Sequence, residues 1–237
     1  MGGSDVTELP ERLAQVRAEI EEACVRRGRT SADVRLIAVT KAVDATAVRR
    51  LVESGVYECG ENRWQQAKDK VTVDYGQDIV WHFIGRLQTN KVKYVVPHFA
   101  WVHSLDSLSL ATELDKRARM LNKRIQVLIQ VNVSGEASKA GISPSELWSF
   151  LEQVLPLSNL SVRGLMTIAP HFENPEDARP VFRCLRELLT EAQVRYPEAQ
   201  LQELSMGMSN DFVIAVEEGA TMVRIGRRLV GVPKERE

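Results

Sequence analysis

Val34-Arg35-Leu36-Ile37-Ala38-Val39, followed by Thr40-Lys41, is a short apolar run bounded by polar residues and rich in β formers, and it reads as a buried strand. What comes next decides the fold. A helix is expected from about Asp44, its N-cap, to Ser54, with Gly55 as the C-terminal stop. No Gly-x-Gly-x-x-Gly turn joins this strand to this helix, so a doubly wound open sheet ranks below a closed barrel.

The same alternation continues in both directions. Upstream, Leu13, Val16, Ile20 and Cys24 recur at spacings of three and four, which predicts a helix over about 10–27 that stops at Gly28. Downstream, strands are expected at Tyr57–Gly60, Ile79–Ile84, Trp101–Ser104, Ile125–Val133, Val162–Ile168, Gln202–Met206 and Thr221–Ile225. Between them lie helices around Arg63–Lys70, Gln88–Val95, the Leu108/Ala111/Leu114/Ala118/Leu121 stripe, a segment opened by Ser143-Pro144-Ser145-Glu146, the Val181/Leu185/Leu188/Ala192 stripe, and Asp211–Glu218. Ser at N-cap, Pro at N1 and Glu at N3 spell a capping box. Eight strand–helix units imply parallel strands with crossover helices, and their total length is that of a (β/α)8 TIM barrel. The expected fold class is therefore α/β, a single TIM-barrel domain over 1–237, with a short mobile tail at 233–237.

Composition bounds the partners. The 237 residues are 44% hydrophobic and 27% charged, close to globular averages. Lys plus Arg is 31 against 32 Asp plus Glu, a formal net charge of −1, which gives no global pull toward nucleic acid or an anionic membrane. Cys24, Cys59 and Cys184 are odd in number, far apart and without a Cys-x-x-Cys pair, which argues against a disulfide framework or a cysteine-rich zinc site and fits a cytoplasmic protein. The amino terminus has no apolar core of a signal peptide, and runs such as Val127–Val133 are too short to span a membrane.

In a TIM barrel the chemistry collects just past the carboxyl ends of the strands. Lys41 stands there after the first strand, where partial desolvation would make its amine a nucleophile for carbonyl compounds; a surface lysine at a strand–loop junction is the competing reading. After the seventh strand comes Ser205-Met206-Gly207-Met208-Ser209-Asn210-Asp211, in which Gly207 would let backbone approach a ligand and Ser209 offers a hydroxyl beside a helix start. After the eighth comes Arg224-Ile225-Gly226-Arg227. These two loops are the common phosphate site of the fold, with two ordinary glycine turns as the alternative. An aldehyde-reactive amine facing a phosphate grip suits pyridoxal 5′-phosphate, and Arg224 could meet its pyridine nitrogen. His82 reads as a hydrogen-bonded core histidine, and Met166, Met206 and Met208 as packing at the barrel mouth. His98, His103 and His171 lack metal-ligand spacing, so no metal is expected.

The sequence resembles the pyridoxal-phosphate-binding homeostasis proteins, single-domain relatives of the alanine racemase N-terminal barrel. The resemblance rests on Ala38-Val39-Thr40-Lys41, Gly60-Glu61-Asn62, Trp81-His82-Phe83-Ile84-Gly85 with Leu87-Gln88-Thr89-Asn90-Lys91, Gln130-Val131-Asn132, Ser138-Lys139-Ala140-Gly141, Gly164-Leu165-Met166, Leu204-Ser205-Met206-Gly207-Met208-Ser209 and Val223-Arg224-Ile225-Gly226, in order along nearly the whole chain. It implies that Lys41 carries the cofactor as a Schiff base. Asn62 would lie near the ring, Ser209 and the Gly226-Arg227 turn would hold the phosphate, Met206 and Gly207 would belong to the same pocket, and Arg224 would approach the ring nitrogen. Three positions depart from the pattern: Thr40 where Ser is usual, Arg86 for Pro, and Arg227 for Thr, which removes a hydroxyl from the phosphate shell but keeps the backbone N–H. Lys139 falls in a family motif as a second rim amine and reads as a solvated loop lysine.

The resemblance implies a non-catalytic carrier or buffer of the cofactor in intracellular vitamin B6 homeostasis. An amino-acid racemase using the same cofactor is the alternative, and an aldolase acting on a phosphorylated aldehyde through Lys41 is a third reading without family support. Racemases with this barrel take a second base from an additional β domain, whereas only twelve residues follow Ile225 here. The expected partners are pyridoxal phosphate and the enzymes that receive it, not nucleic acid or membrane, and the expected assembly is a monomer or weak dimer.

Overall fold

The computed structural model describes residues 5–136 and 139–231; Ser138 and the expected 233–237 tail lie outside the described residues. Eight parallel strands close into a barrel in sequence order: β1 (Arg35–Val39), β2 (Glu58–Glu61), β3 (Val80–Phe83), β4 (Trp101–Leu105), β5 (Ile125–Gln130), β6 (Leu160–Met166), β7 (Glu203–Met208) and β8 (Met222–Ile225). Closure comes from β1 pairing with β8, in the register Ile37 opposite Arg224 and Ala38 opposite Ile225. Around the sheet run α2 (Ala45–Glu53), α3 (Trp64–Val71), α4 (Val92–Val95), α5 (Leu108–Met120), α6 (Leu147–Val154), α7 (Arg179–Arg195) and α8 (Phe212–Glu217), preceded by α1 (Asp5–Val25) and followed by α9 (Arg227–Val230). Among the described residues no helix is long and apolar enough to cross a membrane.

Local chemistry explains the helix boundaries. The Asp44 carboxylate accepts from Ala47 N at 3.0 Å and opens α2. Ser143 N donates to Glu146 Oε2 at 2.8 Å, the capping box, which first makes a 3-10 turn over Pro144–Glu146 and then α6. On α1, Leu13, Val16, Ile20 and Cys24 are all buried. Arg27 and Arg29 at its carboxyl end donate to the Glu217, Val216 and Ala220 carbonyls, and α8 is held from its other side by Arg179 and Arg186 on the fully buried Glu218.

Some expected boundaries shift. Strand β5 ends at Gln130, not Val133, because the chain there takes a new partner: Asn132 N donates to Ile142 O at 2.8 Å and Ile142 N to Gln130 O at 2.9 Å. Strand β6 stops at Met166, leaving Ile168 exposed at the mouth, whereas β7 runs on to Met208. On α7 the buried stripe is Phe182, Leu185, Leu189 and Ala192, with Val181 and Leu188 only half-buried.

Two layers of core result. Residues alternate along each strand, so one set faces the helices and the other fills the barrel. The inner apolar set is small, namely Ile37, Trp101, Leu128, Met166 and Met222. The rest of the barrel interior is polar. His82 and His103 lie there fully buried with Nδ1 of the first 2.9 Å from Nε2 of the second, and the His82 ring stacks on Trp101. Burial pushes His82 below the ordinary imidazole value and His103 well below it. In the unfolded chain both rings take a proton near pH 6.5, so the unfolded state binds more protons below that pH. Stability is therefore complete above about pH 6.5 and falls as the pH drops. Urea unfolding is expected to lose up to about 2.7 kcal/mol between about pH 6.5 and 5.5, the limit for two protons over one unit. A flat profile across that interval would contradict a neutral buried pair.

Candidate functional site

The carboxyl ends of β7, β8, β1 and β2 are neighbours around the mouth, and the expected site residues sit on them: Ser209 just past β7, Gly226 and Arg227 past β8, Lys41 past β1 and Asn62 past β2. Gly226 lies against Val39, two residues before Lys41; a Cβ placed there would make ordinary contacts at 3.4 Å or more.

Lys41 is exposed, not partly desolvated as expected. It lines a cavity of about 1030 Å³ on the flank of the mouth, between α1, the β1–α2 loop, α3 and Leu229–Gly231. The turn that carries it is tied by hydrogen bonds to a buried lysine on α3. Lys70 on α3 is buried and directs its ammonium at three acceptors: Thr40 O at 2.7 Å, Val43 O at 3.1 Å and Glu61 Oε1 at 2.5 Å. Thr40 donates its hydroxyl to the same Glu61 oxygen at 2.5 Å. The three ammonium hydrogens are thus all used, and both ends of the Thr40–Val43 turn are tied to β2 and α3. The sequence signal was available: Lys70 sits three residues after the buried Ala67, on the inward face of its helix.

The Met208–Asp211 turn is closed from both sides. Asp211 Oδ1 accepts from Met208 N at 2.6 Å and Asp211 N donates to Met208 O at 3.1 Å. Burial raises the Asp211 carboxyl, while the Met208 hydrogen bond and the Arg224 charge oppose that shift. Among the described residues nothing accepts from the backbone N–H groups of Ser209, Asn210, Gly226 or Arg227, and the half-buried Ser209 hydroxyl has no protein partner. Four N–H donors and a hydroxyl therefore collect at adjacent strand ends. The Arg227 side chain is exposed.

Two expected contributions change character. Gly207 has φ +92°, and a Cβ there would come within 2.6 Å of Ala215 Cβ and 2.9 Å of Phe212 Cα. Its glycine is required by α8 packing on β7. The Met206 side chain is buried in the layer between sheet and helices, Met166 fills the barrel interior, and of the three methionines Met208 alone is exposed.

Arg224 lies wholly inside the barrel. Its Nη1 donates to Ser205 Oγ at 2.6 Å and its Nη2 to Thr167 O at 3.0 Å. Burial lowers it to about 10, so it stays cationic at neutral pH. Asn62 has a buried Oδ1 without a partner among the described residues, and its backbone packs so closely on Gly85 that a Cβ on Gly85 would meet Asn62 Cα at 2.7 Å. Lys139 is not a solvated loop lysine. Its ammonium is buried without a hydrogen bond among the described residues, 3.6 Å from Glu136 Oε2, at the wall of a cavity of about 200 Å³ that Gln130, Asn132 and Ile168 also line.

The sequence profile of the alanine racemase N-terminal domain matches residues 13–234. A pyridoxal phosphate homeostasis protein of Aquifex aeolicus is 49% identical over 224 residues, covering 94% of this chain and 98% of that protein. The chain belongs to the pyridoxal phosphate homeostasis protein family. Its counterpart in Pseudomonas aeruginosa is 42% identical over 94% of this chain and 95% of its own length. Among solved structures, PipY of Synechococcus elongatus with PLP bound superposes with a TM-score of 0.83 at 37% identity, covering 94% of this chain and all of that one.

The Lys70–Glu61 pair generates a test that needs no ligand. Lys70→Met removes the cation and leaves the Glu61 carboxylate buried beside two freed carbonyls. Breaking one partner of a buried pair costs about 3–5 kcal/mol. Urea unfolding should show a loss of that size, and a loss below about 1 kcal/mol would contradict the clamp on the Lys41 turn.

Proposed function

We propose that this chain binds pyridoxal 5′-phosphate at the mouth formed by β7, β8, β1 and β2, and acts in the cytoplasm as a carrier or buffer of the cofactor without turning over amino acids. The observation that carries this reading is the juxtaposition of a primary amine, Lys41, with the N–H groups of Ser209, Asn210, Gly226 and Arg227, unpaired among the described residues, across the β1–β8 seam. When bound, the cofactor supplies an aldehyde that condenses with amines and a ring that can withdraw electrons.

The residues present fit that group. An anion takes N–H donors without the cost of burying them unpaired. In this reading Ser209 adds its hydroxyl, Arg227 acts through its backbone, and Asn62 turns its unsatisfied Oδ1 toward the ring. Lys41 is free to reach the aldehyde because its turn is clamped while its side chain is exposed. Met206 and Gly207 shape the pocket only through the backbone that ends in Ser209.

The quiet chemistry follows from Arg224. A guanidinium only donates hydrogen bonds, so at the pyridine nitrogen it disfavours a second positive charge. A ring kept unprotonated is a poor electron sink, which weakens the racemase alternative. The curated relatives are likewise named homeostasis proteins. Transfer to recipient enzymes, by a monomer or weak dimer, belongs to the same reading.

Borohydride reduction of the protein mixed with pyridoxal phosphate, followed by peptide mass spectrometry, should place the label on Lys41. Lys41→Ala should lose the visible absorbance and keep the fold, because an exposed side chain contributes little packing. Gly226→Val should weaken retention about tenfold or more by crowding the donors, given ~1.5–3 kcal/mol for a hydrogen bond to a charged group. Label on Lys139 or Lys91 instead, or unchanged retention in the glycine variant, would overturn the assignment.

A further inference from the structure

Five side chains from five strands form one unbroken line through the barrel. Arg224 Nη1 on β8 is 2.6 Å from Ser205 Oγ on β7. That oxygen is 2.9 Å from Nδ1 of His103 on β4. Nε2 of His103 is 2.9 Å from Nδ1 of His82 on β3, and Nε2 of His82 is 2.6 Å from Oε2 of Glu58 at the start of β2.

The two ends dictate every hydrogen between them. Arg224 only donates, so Ser205 accepts from it, and because the Glu58 carboxylate at the far end only accepts, each neutral ring donates from Nε2 and His103 Nδ1 is left to accept the Ser205 hydrogen. His103 then carries its hydrogen on Nε2 and gives it to His82 Nδ1. His82 carries its hydrogen on Nε2 and gives it to the Glu58 carboxylate. Burial pushes Glu58 up, but the His82 hydrogen bond and the Arg35 charge outweigh it and hold Glu58 below its ordinary value. The surroundings support one polarity. Arg35 from β1 and Glu203 from β7 pair with each other at 2.7 Å below the rings, Trp101 from β4 stacks on His82, and Leu128 and Met166 from β5 and β6 are apolar. Reversing the line would require a buried imidazolium or a protonated Glu58.

We propose that His82, His103 and Ser205 are positioning residues: a hydrogen-bond line of single polarity, anchored on Glu58 at the amino-terminal end of the barrel, that fixes the buried Arg224 guanidinium inside its carboxyl-terminal end. Its bearing on the cofactor rests on the reading above, that Arg224 meets the ring nitrogen. Ser205 has no hydrogen left for any other acceptor, so the guanidinium, held also by Thr167 O, presents its remaining N–H groups in one orientation.

The test separates the line from the cofactor reading. In isotope-labelled protein without added cofactor, long-range proton–nitrogen correlation should show both His82 and His103 neutral with the hydrogen on Nε2 at about pH 7, the tautomer the end groups demand. The guanidinium N–H signals of Arg224 should be resolved and slow to exchange, averaged in Ser205→Ala, and resolved again in Ser205→Thr. An Nδ1–H tautomer on either ring, an imidazolium, or unaltered Arg224 signals in Ser205→Ala would overturn the line whether or not cofactor binds. In absorbance titrations with pyridoxal phosphate, Ser205→Ala should bind about tenfold more weakly and Ser205→Thr within about twofold of the unaltered protein. Equal affinity in Ser205→Ala would overturn the positioning role. Failure of the unaltered protein to bind would sink the cofactor reading, with the tautomers and guanidinium signals still deciding the line.

Discussion

The pairing of β1 with β8 is the constraint on which the rest of the molecule depends. It closes the sheet, so no strand edge is left unpaired. It also sets the first strand's carboxyl end, with Lys41, against the last strand's, with Gly226, although they lie at opposite ends of the chain. In an open sheet with the same elements these groups would sit on opposite edges. The same register puts Arg224 opposite Ile37 and aims its side chain into the barrel, while Ile225 faces the helices.

Closure makes an interior too enclosed for unpaired polar groups. The chain meets this with two polar assemblies on opposite sides of the sheet. Inside, the Arg224-to-Glu58 line satisfies a guanidinium, a hydroxyl, two imidazoles and a carboxylate in sequence. Outside, Thr40, Glu61 and Lys70 share one buried cluster under the Lys41 turn. Each assembly ends at a group of the mouth, so the rigidity of the scaffold reaches the site through hydrogen bonds to Arg224 and to the Thr40–Val43 backbone. Lys41 itself is the exposed arm on that frame.

Features set by short-range chemistry were legible in the sequence. The eight strand–helix units, the Asp44 cap, the Ser143–Glu146 box and the α1 stripe all depend on residues within a turn or two of one another. The mouth positions of Lys41, Ser209 and Gly226 followed from the strand ends, while Asn62 and the roles proposed for all four rest on the family motifs. What was not legible depends on which way a strand residue faces and what crosses to meet it. Met206, expected at the mouth, faces the helices. Gly207 makes room for Phe212 and Ala215, a need that a glycine in sequence does not distinguish from room for a ligand. His103 carried no metal spacing and no motif role, and its partners His82 and Ser205 come from other strands. Lys139 was read as solvated because a loop lysine usually is, whereas the cavity beneath it forms only when β3, β5 and the chain after β6 come together.

In the proposed complex one barrel end holds the aldehyde end of the cofactor at Lys41 and its ring nitrogen at Arg224. A crystal structure of the protein soaked with pyridoxal phosphate tests it most directly. Density continuous with Lys41 is expected, with phosphate on the Ser209 and Gly226 amides and the ring nitrogen within hydrogen-bond distance of Arg224, its Ser205 contact intact. Cofactor joined to another lysine, or a ring nitrogen facing a carboxylate, would contradict it.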